Sequence, residues 1–249
     1  MNHLERLAAA QSAHFAQRRG SLPERGDGVR AFPVQAWGPP VLIAEFKRSS
    51  PSHGAFDAPD LAEQLRRYEE IGAAAVSVLV AGEGFGGDPS DLAKARRLTH
   101  LPLLYKGFVS CLGQVDEAYA YGADAVLLIA ALLKEEMGAF LARAEQLGLA
   151  ALCEVHDAAE MRAAAALGAG LIGVNNRDLR TLEVDTRRFL SIAPQAPKEV
   201  LLVAESGYRS RASVREAAAA GARGLLIGEA LLSGSELCGP WGEVLLDVG

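Results

Sequence analysis

The sequence predicts a closed eight-stranded α/β barrel, and three observations carry that prediction. Eight short apolar runs alternate with alanine-rich amphipathic segments. The amphipathic segments repeatedly stop at Gly-Ala, in "IGAAAV", "YGADAV", "LGAGLI" and "AGARGL". A length of 249 residues suits one such barrel.

The first segment, "MNHLERLAAAQSAHFAQRRG", has a helical pattern with scattered charges and lacks the basic-then-apolar order of a secretory signal. Residues 20–40, rich in Gly and Pro, read as the tie between that helix and the barrel, so 1–40 form a helix and connector. The strands lie at 41–46, 74–79, 101–106, 124–130, 150–155, 170–174, 200–205 and 224–228. Each run is nearly continuously apolar, as expected for strands covered on both faces. Helical patterns lie between them, for example at 60–73, 134–149 and 158–169. A glycine past the last helical turn takes the left-handed cap cheaply, and a strand then comes within a few residues. No linker interrupts the chain, so 1–249 reads as one (β/α)8 domain with an extra N-terminal helix. An open doubly wound sheet is the runner-up, but no G-x-G-x-x-G turn follows the first strand.

Bulk composition narrows the partners. Formal net charge is −6 and the pI is near 5.5, with no lysine/arginine block, which disfavours nucleic acid and anionic membranes. Cys111, Cys153 and Cys238 are odd in number and show no C-x-x-C pairing, which points to a reducing compartment without disulfides or a zinc site. The longest apolar run, residues 125–133, is too short to cross a bilayer. A soluble cytoplasmic protein is expected.

In such a barrel the chemistry sits at the carboxyl ends of the strands, where the loops converge. Those ends carry, in order, Glu45 and Lys47, Ser77, Lys106, Leu127, Glu154, Asn175 with Arg177, Glu205 with Ser206, and Gly228. One charge at a strand end is ordinarily a solvated loop residue. Lys and Glu recurring at successive ends of apolar runs lose hydration unless partners or a substrate replace it. The set therefore favours a catalytic site. "AESGYRS" (204–210) and "LLIGEALL" (225–232) add glycines directly after the seventh and eighth strands, where barrels often bind phosphate.

The motifs "IAEFKRSSPS", "SVL…FGG", "KGF", "GADAVLLI", "EVH", "GVNNRDL", "VAESG" and "LIGEALL" occur in order, each at the end of its expected strand. Over about residues 41–232 the chain resembles the indole-3-glycerol phosphate synthase family. The resemblance implies a decarboxylating ring closure and dehydration of 1-(2-carboxyphenylamino)-1-deoxyribulose 5-phosphate, without cofactor or metal. It also implies roles. Lys106 matches the general acid and Glu154 the general base. Lys47 matches a substrate-contacting lysine and candidate second acid, and Glu45 is expected to pair with the lysines. Ser50, Pro51, Phe108, Leu127, Asn175, Arg177, Glu205 and Leu226 carry over as substrate contacts, with Phe108 and the two leucines facing the aromatic ring. Ser206, Gly207 and Gly228 fall where the family holds phosphate. The partner implied is a small phosphosugar; a monomer is expected, with association with other tryptophan-pathway enzymes left open.

Further expectations concern behaviour. Lysines sharing one site should lower each other's pKa. The loop "RSSPSHG", with Gly54, should form a mobile lid. The sequence departs from the family pattern at Val80, where a hydroxyl is usual and the acids shift to Glu83, and at Gly107, where an aspartate is usual. Cys153 takes the place of a larger aliphatic residue, as a small core residue. Two other readings compete: a catalytically weakened paralogue kept for binding or assembly, and a phosphoribosylanthranilate isomerase. Intact Lys47, Lys106 and Glu154 disfavour the first. The second calls for a cysteine near the first strand's end, where this chain has Glu45 and Lys47.

Overall fold

Eight parallel strands close on themselves in sequence order. They are β1 (Val41–Phe46), β2 (Ala75–Leu79), β3 (Leu103–Lys106), β4 (Ala125–Ile129), β5 (Ala150–Val155), β6 (Leu171–Asn175), β7 (Leu201–Glu205) and β8 (Ala222–Ile227). The computed structural model describes residues 2–35, 37–50, 54–56, 60–178 and 181–246, without the side chains of Ser50 and Ala55. Closure comes from β1 pairing with β8, with Val41 opposite Gly224 and Ala44 opposite Ile227. Each predicted strand is present to within a few residues.

The helices fill the outside: α1 (His3–Arg18), α2 (Leu61–Glu70), α3 (Pro89–Leu98), α4 (Leu112–Ala120), α5 (Ala130–Leu133), α6 (Met137–Gln146), α7 (Ala158–Ala166), α8 (Arg187–Ile192), α9 (Arg211–Ala219), α10 (Glu229–Leu232) and α11 (Trp241–Leu245). The Gly-Ala stops are left-handed caps, with φ of +81° at Gly72, +92° at Gly122, +99° at Gly168 and +105° at Gly221. No helix among the described residues is long and apolar enough to cross a membrane.

Strand alternation sorts the side chains into two apolar layers. Leu42, Ala44, Val76, Val78, Tyr105, Val126, Leu128 and Cys153 face the helices. Ile43, Ala75, Leu104, Ala125, Leu127, Leu152, Val203 and Leu226 fill the barrel interior. The same alternation aims Glu45, Lys106, Glu154 and Glu205 inward, each two residues beyond an interior apolar residue.

The N-terminal segment closes both ends of this interior cluster. Val34, in the connector, joins it at the amino end of the strands beside Gly224. Leu4, Leu7 and Ala8 of α1 join it from the carboxyl end. An Asn2/Glu5 capping box starts α1. The helix is then bolted to the third strand–helix unit: Gln11 donates to Tyr105 OH at 3.1 Å and accepts from Phe108 N at 2.8 Å. Tyr105 OH donates to the buried Glu117 at 2.7 Å, and Arg18 pairs with the same carboxylate at 2.7 Å. The connector is anchored at Asp124, which is fully buried and meets Arg25 at 3.2 Å, Arg96 at 2.6 Å and the Arg30 backbone N–H at 2.8 Å.

A short antiparallel ladder, Ser49–Ser50 with Gly54–Ala55, lies in the first loop, which the sequence reads only as a polar loop. Ser49 N donates to Phe85 O at 3.2 Å, tying this loop to the one after β2, and Arg48 forms a bidentate pair with the buried Asp91 of α3. Arg48 thus serves the scaffold. Residues 51–53, the centre of the expected lid, lie outside the described residues.

Candidate active site

A cavity of about 290 Å³ opens at the carboxyl ends of the strands. Among the residues expected in the site, Glu45, Lys47, Lys106, Arg177, Ser206, Gly207, Leu226 and Gly228 line it. Its floor is an ionic cluster. Lys47 Nζ lies 2.7 Å from Glu45 Oε1. Lys106 Nζ lies 3.1 Å from Glu205 Oε2 and 3.4 Å from Glu154 Oε2, joining the third, fifth and seventh strands across the barrel. The expectation that Glu45 pairs with both lysines holds as a direct contact for Lys47; the direct partners of Lys106 are Glu154 and Glu205.

Two interior glycines make this cluster possible. A Cβ on Gly173 would stand 2.0 Å from Glu205 Oε1, and one on Gly228 would stand 2.7 Å from Glu45 Oε1. The carboxylates lie over the bare backbone of neighbouring strands. Gly228, expected for phosphate, therefore also houses Glu45, and Gly173 is a site residue that the sequence reading does not single out.

Burial opposes ionisation throughout the cluster, and the outcome differs by position. On Lys106, burial lowers the pKa, but the charges of Glu205, Glu154 and Glu45 outweigh it and raise the ammonium above its ordinary value. The expected lowering by neighbouring lysines is thus overturned at Lys106, where the charges of Glu205, Glu154 and Glu45 dominate. On Glu45 burial raises the pKa, and Lys47, Lys106 and Arg177 outweigh it, leaving a lowered value. On Glu205 burial prevails over the attraction of Lys106, reinforced by repulsion from Glu154 and Glu45, and pushes the carboxyl up to about 7.

Two of the residues expected to hold phosphate form a bend at the cavity's edge. Ser206 and Gly207 both have left-handed backbone, at φ +63° and +84°. Asn176, fully buried and unassigned by the sequence reading, holds this bend: its Nδ2 donates to Ser206 O at 3.0 Å and its Oδ1 accepts from Phe189 N at 3.0 Å. Arg177 reaches the cavity from the end of β6, where Asn175 Oδ1 accepts from its backbone N–H at 2.9 Å and Leu182 O from its guanidinium at 3.1 Å. Asn175 is 4% exposed beside Glu205, which faces it across the ladder.

Of the three apolar residues expected to face an aromatic ring, Leu226 lines the cavity. Phe108 and Leu127 do not line it; they are buried in the same apolar cluster as Leu4, Leu7 and Ala8 of the N-terminal helix. Pro51 lies outside the described residues, and of Ser50 only the backbone pairing with Gly54 is described. Val80, Glu83 and Cys153, read from the sequence as departures from the family pattern, do not line the cavity. Val80 is buried in the outer layer, Glu83 pairs with Arg6 of α1 at 3.3 Å, and Cys153 is a buried core thiol whose pKa burial pushes up to about 12.

The chain matches the family model described as indole-3-glycerol phosphate synthase over residues 8–238. It belongs to that family. The indole-3-glycerol phosphate synthase of Parafrankia sp. (strain EAN1pec) is 49% identical over 247 residues, covering 95% of this chain and 92% of the relative. That of Streptomyces griseus subsp. griseus is 40% identical over 234 residues, covering 93% and 86%. Among solved structures, a thiamine phosphate pyrophosphorylase from Pyrococcus furiosus superposes with a TM-score of 0.60 at 18% identity, covering 83% of this chain and 95% of that one; it shows the barrel fold alone. In this chain a Lys/Glu cluster and the left-handed bend at Ser206 and Gly207 meet in one cavity.

Proposed function

We propose that this chain is a carboxy-lyase, EC 4.1.1.48, converting 1-(2-carboxyphenylamino)-1-deoxyribulose 5-phosphate to indole-3-glycerol phosphate, carbon dioxide and water. The observation that carries the reading is Lys106, held by Glu154 and Glu205 at one end of a cavity whose other end holds Arg177, Ser206 and Gly207.

The phosphate sits at the bend, where backbone N–H groups and Arg177 neutralise it. This orients the ketone toward Lys106. As the arene carbon attacks the ketone carbon, the new C–C bond pushes the carbonyl pair onto oxygen, and Lys106 donates its proton there. The raised pKa keeps Lys106 charged at working pH, and the forming alkoxide is the stronger base, so the transfer proceeds. The ring carboxylate leaves as carbon dioxide. Dehydration then needs a base and a second acid. Glu154 removes a proton from the substrate, and Lys47, held by Glu45, protonates the departing hydroxyl. The oxygen takes up two protons and Glu154 removes one, so each turnover consumes one proton, matching loss of the carboxylate charge. Leu226, with Phe108 and Leu127 behind it, excludes water from the ring.

The substrate is a free small phosphosugar, and we assign the work to a monomer in the cytoplasm, alone or beside other enzymes of the tryptophan pathway. The test is indole-product fluorescence from purified wild-type protein, repeated on Lys106→Ala and Glu154→Gln. Losses of at least about 10²-fold are expected in both variants. Absence of product from wild type would refute the activity, and near-normal turnover in both variants would refute the roles.

A further inference from the structure

Glu154 lies between two cavities. On one side its Oε2 meets Lys106 at the floor of the substrate cavity. On the other its Oε1 lies 3.5 Å from Nε2 of His156. Neither Oε1 nor Nε2 has a hydrogen-bond partner, and both are buried. A buried unpartnered acceptor and a buried unpartnered ring nitrogen facing each other incur desolvation with no return in the resting geometry. A small rotation of either side chain closes the gap.

The ring continues outward. Its Nδ1 lies 3.5 Å from Glu160 Oε2, and Glu160 is fixed there because the same oxygen accepts the His156 backbone N–H at 2.7 Å. Asp157 caps the start of α7 at Ala159 N and Glu160 N, holding the turn that brings Glu160 back to the ring. His156 and Glu160 then line a separate groove of about 930 Å³, which shares no lining residue with the substrate cavity.

We infer that His156 and Glu160 carry the proton collected by Glu154 out of the barrel into this lateral groove, resetting the base while product still fills the substrate cavity. The inference rests on the assignment of Glu154 as base. After Glu154 has taken its proton, the O–H bond at Oε1 breaks as the Nε2 lone pair forms an N–H bond. The ring releases its Nδ1 proton to Glu160 Oε2, and Glu160 releases it to groove water. A flip of the ring about its Cβ–Cγ bond then turns Nε2–H to the groove, where water takes that proton and returns one to Nδ1, restoring the starting tautomer. One proton crosses and no other reactant is required.

The charges around the ring support the direction of transfer. Glu154 faces it from β5, Glu160 and Asp157 from the start of α7, Arg188 from α8, and Asp178 shares the groove after β6. Across the groove stand Glu5 on α1 and Lys134 and Glu135 after α5. Burial opposes a charge on His156, as does Arg188, but Glu160 and Glu154 outweigh both and raise its pKa. The ring is therefore a better proton acceptor than an ordinary histidine in so dry a place.

The experiment measures product formation by wild type, His156→Ala, His156→Gln and Glu160→Gln against pH, with and without added imidazole. Imidazole is small enough for the groove and enters without crossing the substrate cavity. His156→Ala and His156→Gln should each lower kcat by at least about tenfold, less than the roughly 10²–10⁴ of a group acting directly, with KM changed less than twofold. Imidazole should restore His156→Ala in proportion to its neutral form and leave His156→Gln unaffected. Glu160→Gln should move the acidic limb of the kcat profile to lower pH, because the ring loses a charge that favours its protonation. In parallel, the ring pKa of His156 followed by NMR should fall in Glu154→Gln, a readout independent of turnover. An active wild type with unrescued His156→Ala, a loss confined to KM, or a ring pKa indifferent to Glu154 would each overturn the relay and leave the synthase reading intact. A wild type that forms no product overturns both.

Discussion

The amide of Gln11 occupies the space that a side chain at position 107 would need. A Cβ built on Gly107 stands 2.6 Å from Gln11 Nε2 and 2.9 Å from Oε1, and that amide is fixed by bonds to Tyr105 and Phe108. Gly107 directly follows Lys106, so the bare backbone there lets α1 dock against the loop that follows the proposed acid. A side chain at position 107 and Gln11 docked in this position compete for one space. Gly113 repeats the arrangement, since its Cβ would stand 2.6 Å from the ring of Phe15. Gly107→Asp should therefore destabilise the fold by about 1–3 kcal/mol. Gln11→Ala should cost about 1–2 kcal/mol by orphaning Phe108 N and the cap on Tyr105. The double variant should be more stable than the sum of the two, with a coupling of about 1 kcal/mol or more, read from denaturant midpoints. Additive losses would show that position 107 and the helix do not compete for one space.

The proton balance of Glu205 links stability to pH. Its folded pKa of about 7 stands above the ordinary 4.5 because burial, aided by repulsion from Glu154 and Glu45, outweighs Lys106. A raised carboxyl favours the folded state while protonated, so its contribution is complete below about pH 4.5 and is lost as pH rises through about 7. Glu205→Gln stays neutral throughout. The difference in Tm, variant minus wild type, should therefore grow in favour of the variant between pH 5 and pH 8, by calorimetry. A flat or falling difference would mean that attraction from Lys106 exceeds the burial penalty on Glu205.

Much of the barrel was legible in the sequence for a physical reason: strands buried on both faces leave continuous apolar runs, and their caps leave Gly-Ala. The inward charges were legible too, because Glu45, Lys106, Glu154 and Glu205 interrupt those runs at their carboxyl ends. What escaped depends on which strands are neighbours. Gly173 in "GLIGV" looks like any strand glycine until Glu205 from the next strand is seen lying over it. The state of Lys106 escaped likewise, because lysine–lysine repulsion can be guessed from motif order whereas the distances to Glu154 and Glu205 cannot. Asn176 was hidden by its neighbour: in "VNNRD" one Asn aims inward and the next braces the bend at Ser206.

The bend at Ser206 carries backbone strain, and the proposed phosphate site makes that strain testable. Ser206 at φ +63° has a conformation that costs a non-glycine residue about 1–2 kcal/mol. Ser206→Gly relieves that strain but gives back about 0.4–1 kcal/mol through a more flexible unfolded chain. The net should be a gain of about 0.5 kcal/mol in denaturant unfolding, accompanied by a higher KM because the hydroxyl is gone. Inorganic phosphate should raise the Tm of wild type, and Arg177→Ala should lose most of that protection. Equal protection of both proteins would move the phosphate away from Arg177.

Gly173 gives the sharpest test of the ionic floor, because its substitution touches the acid only through Glu205. A methyl group at 173 would stand 2.0 Å from Glu205 Oε1 and 3.3 Å from Leu152 Cδ1. The strand backbone at Gly173 is locked between Glu154 and Val203 in the barrel ladder, so the Glu205 carboxylate must give way. Glu205 then turns from Lys106, which keeps Glu154 alone as a direct partner. Gly173→Ala should unfold about 1–3 kcal/mol more easily and lose at least about tenfold in kcat, with KM little changed. Glu205→Asp draws the carboxylate back by one methylene. Added to Gly173→Ala, it should recover part of the stability, because the clash is removed. Activity should recover less, since the shorter side chain no longer reaches Lys106 at 3.1 Å. Stability and activity that recover together would show that the glycine is needed only for packing, and that Glu205 does not hold the acid in place.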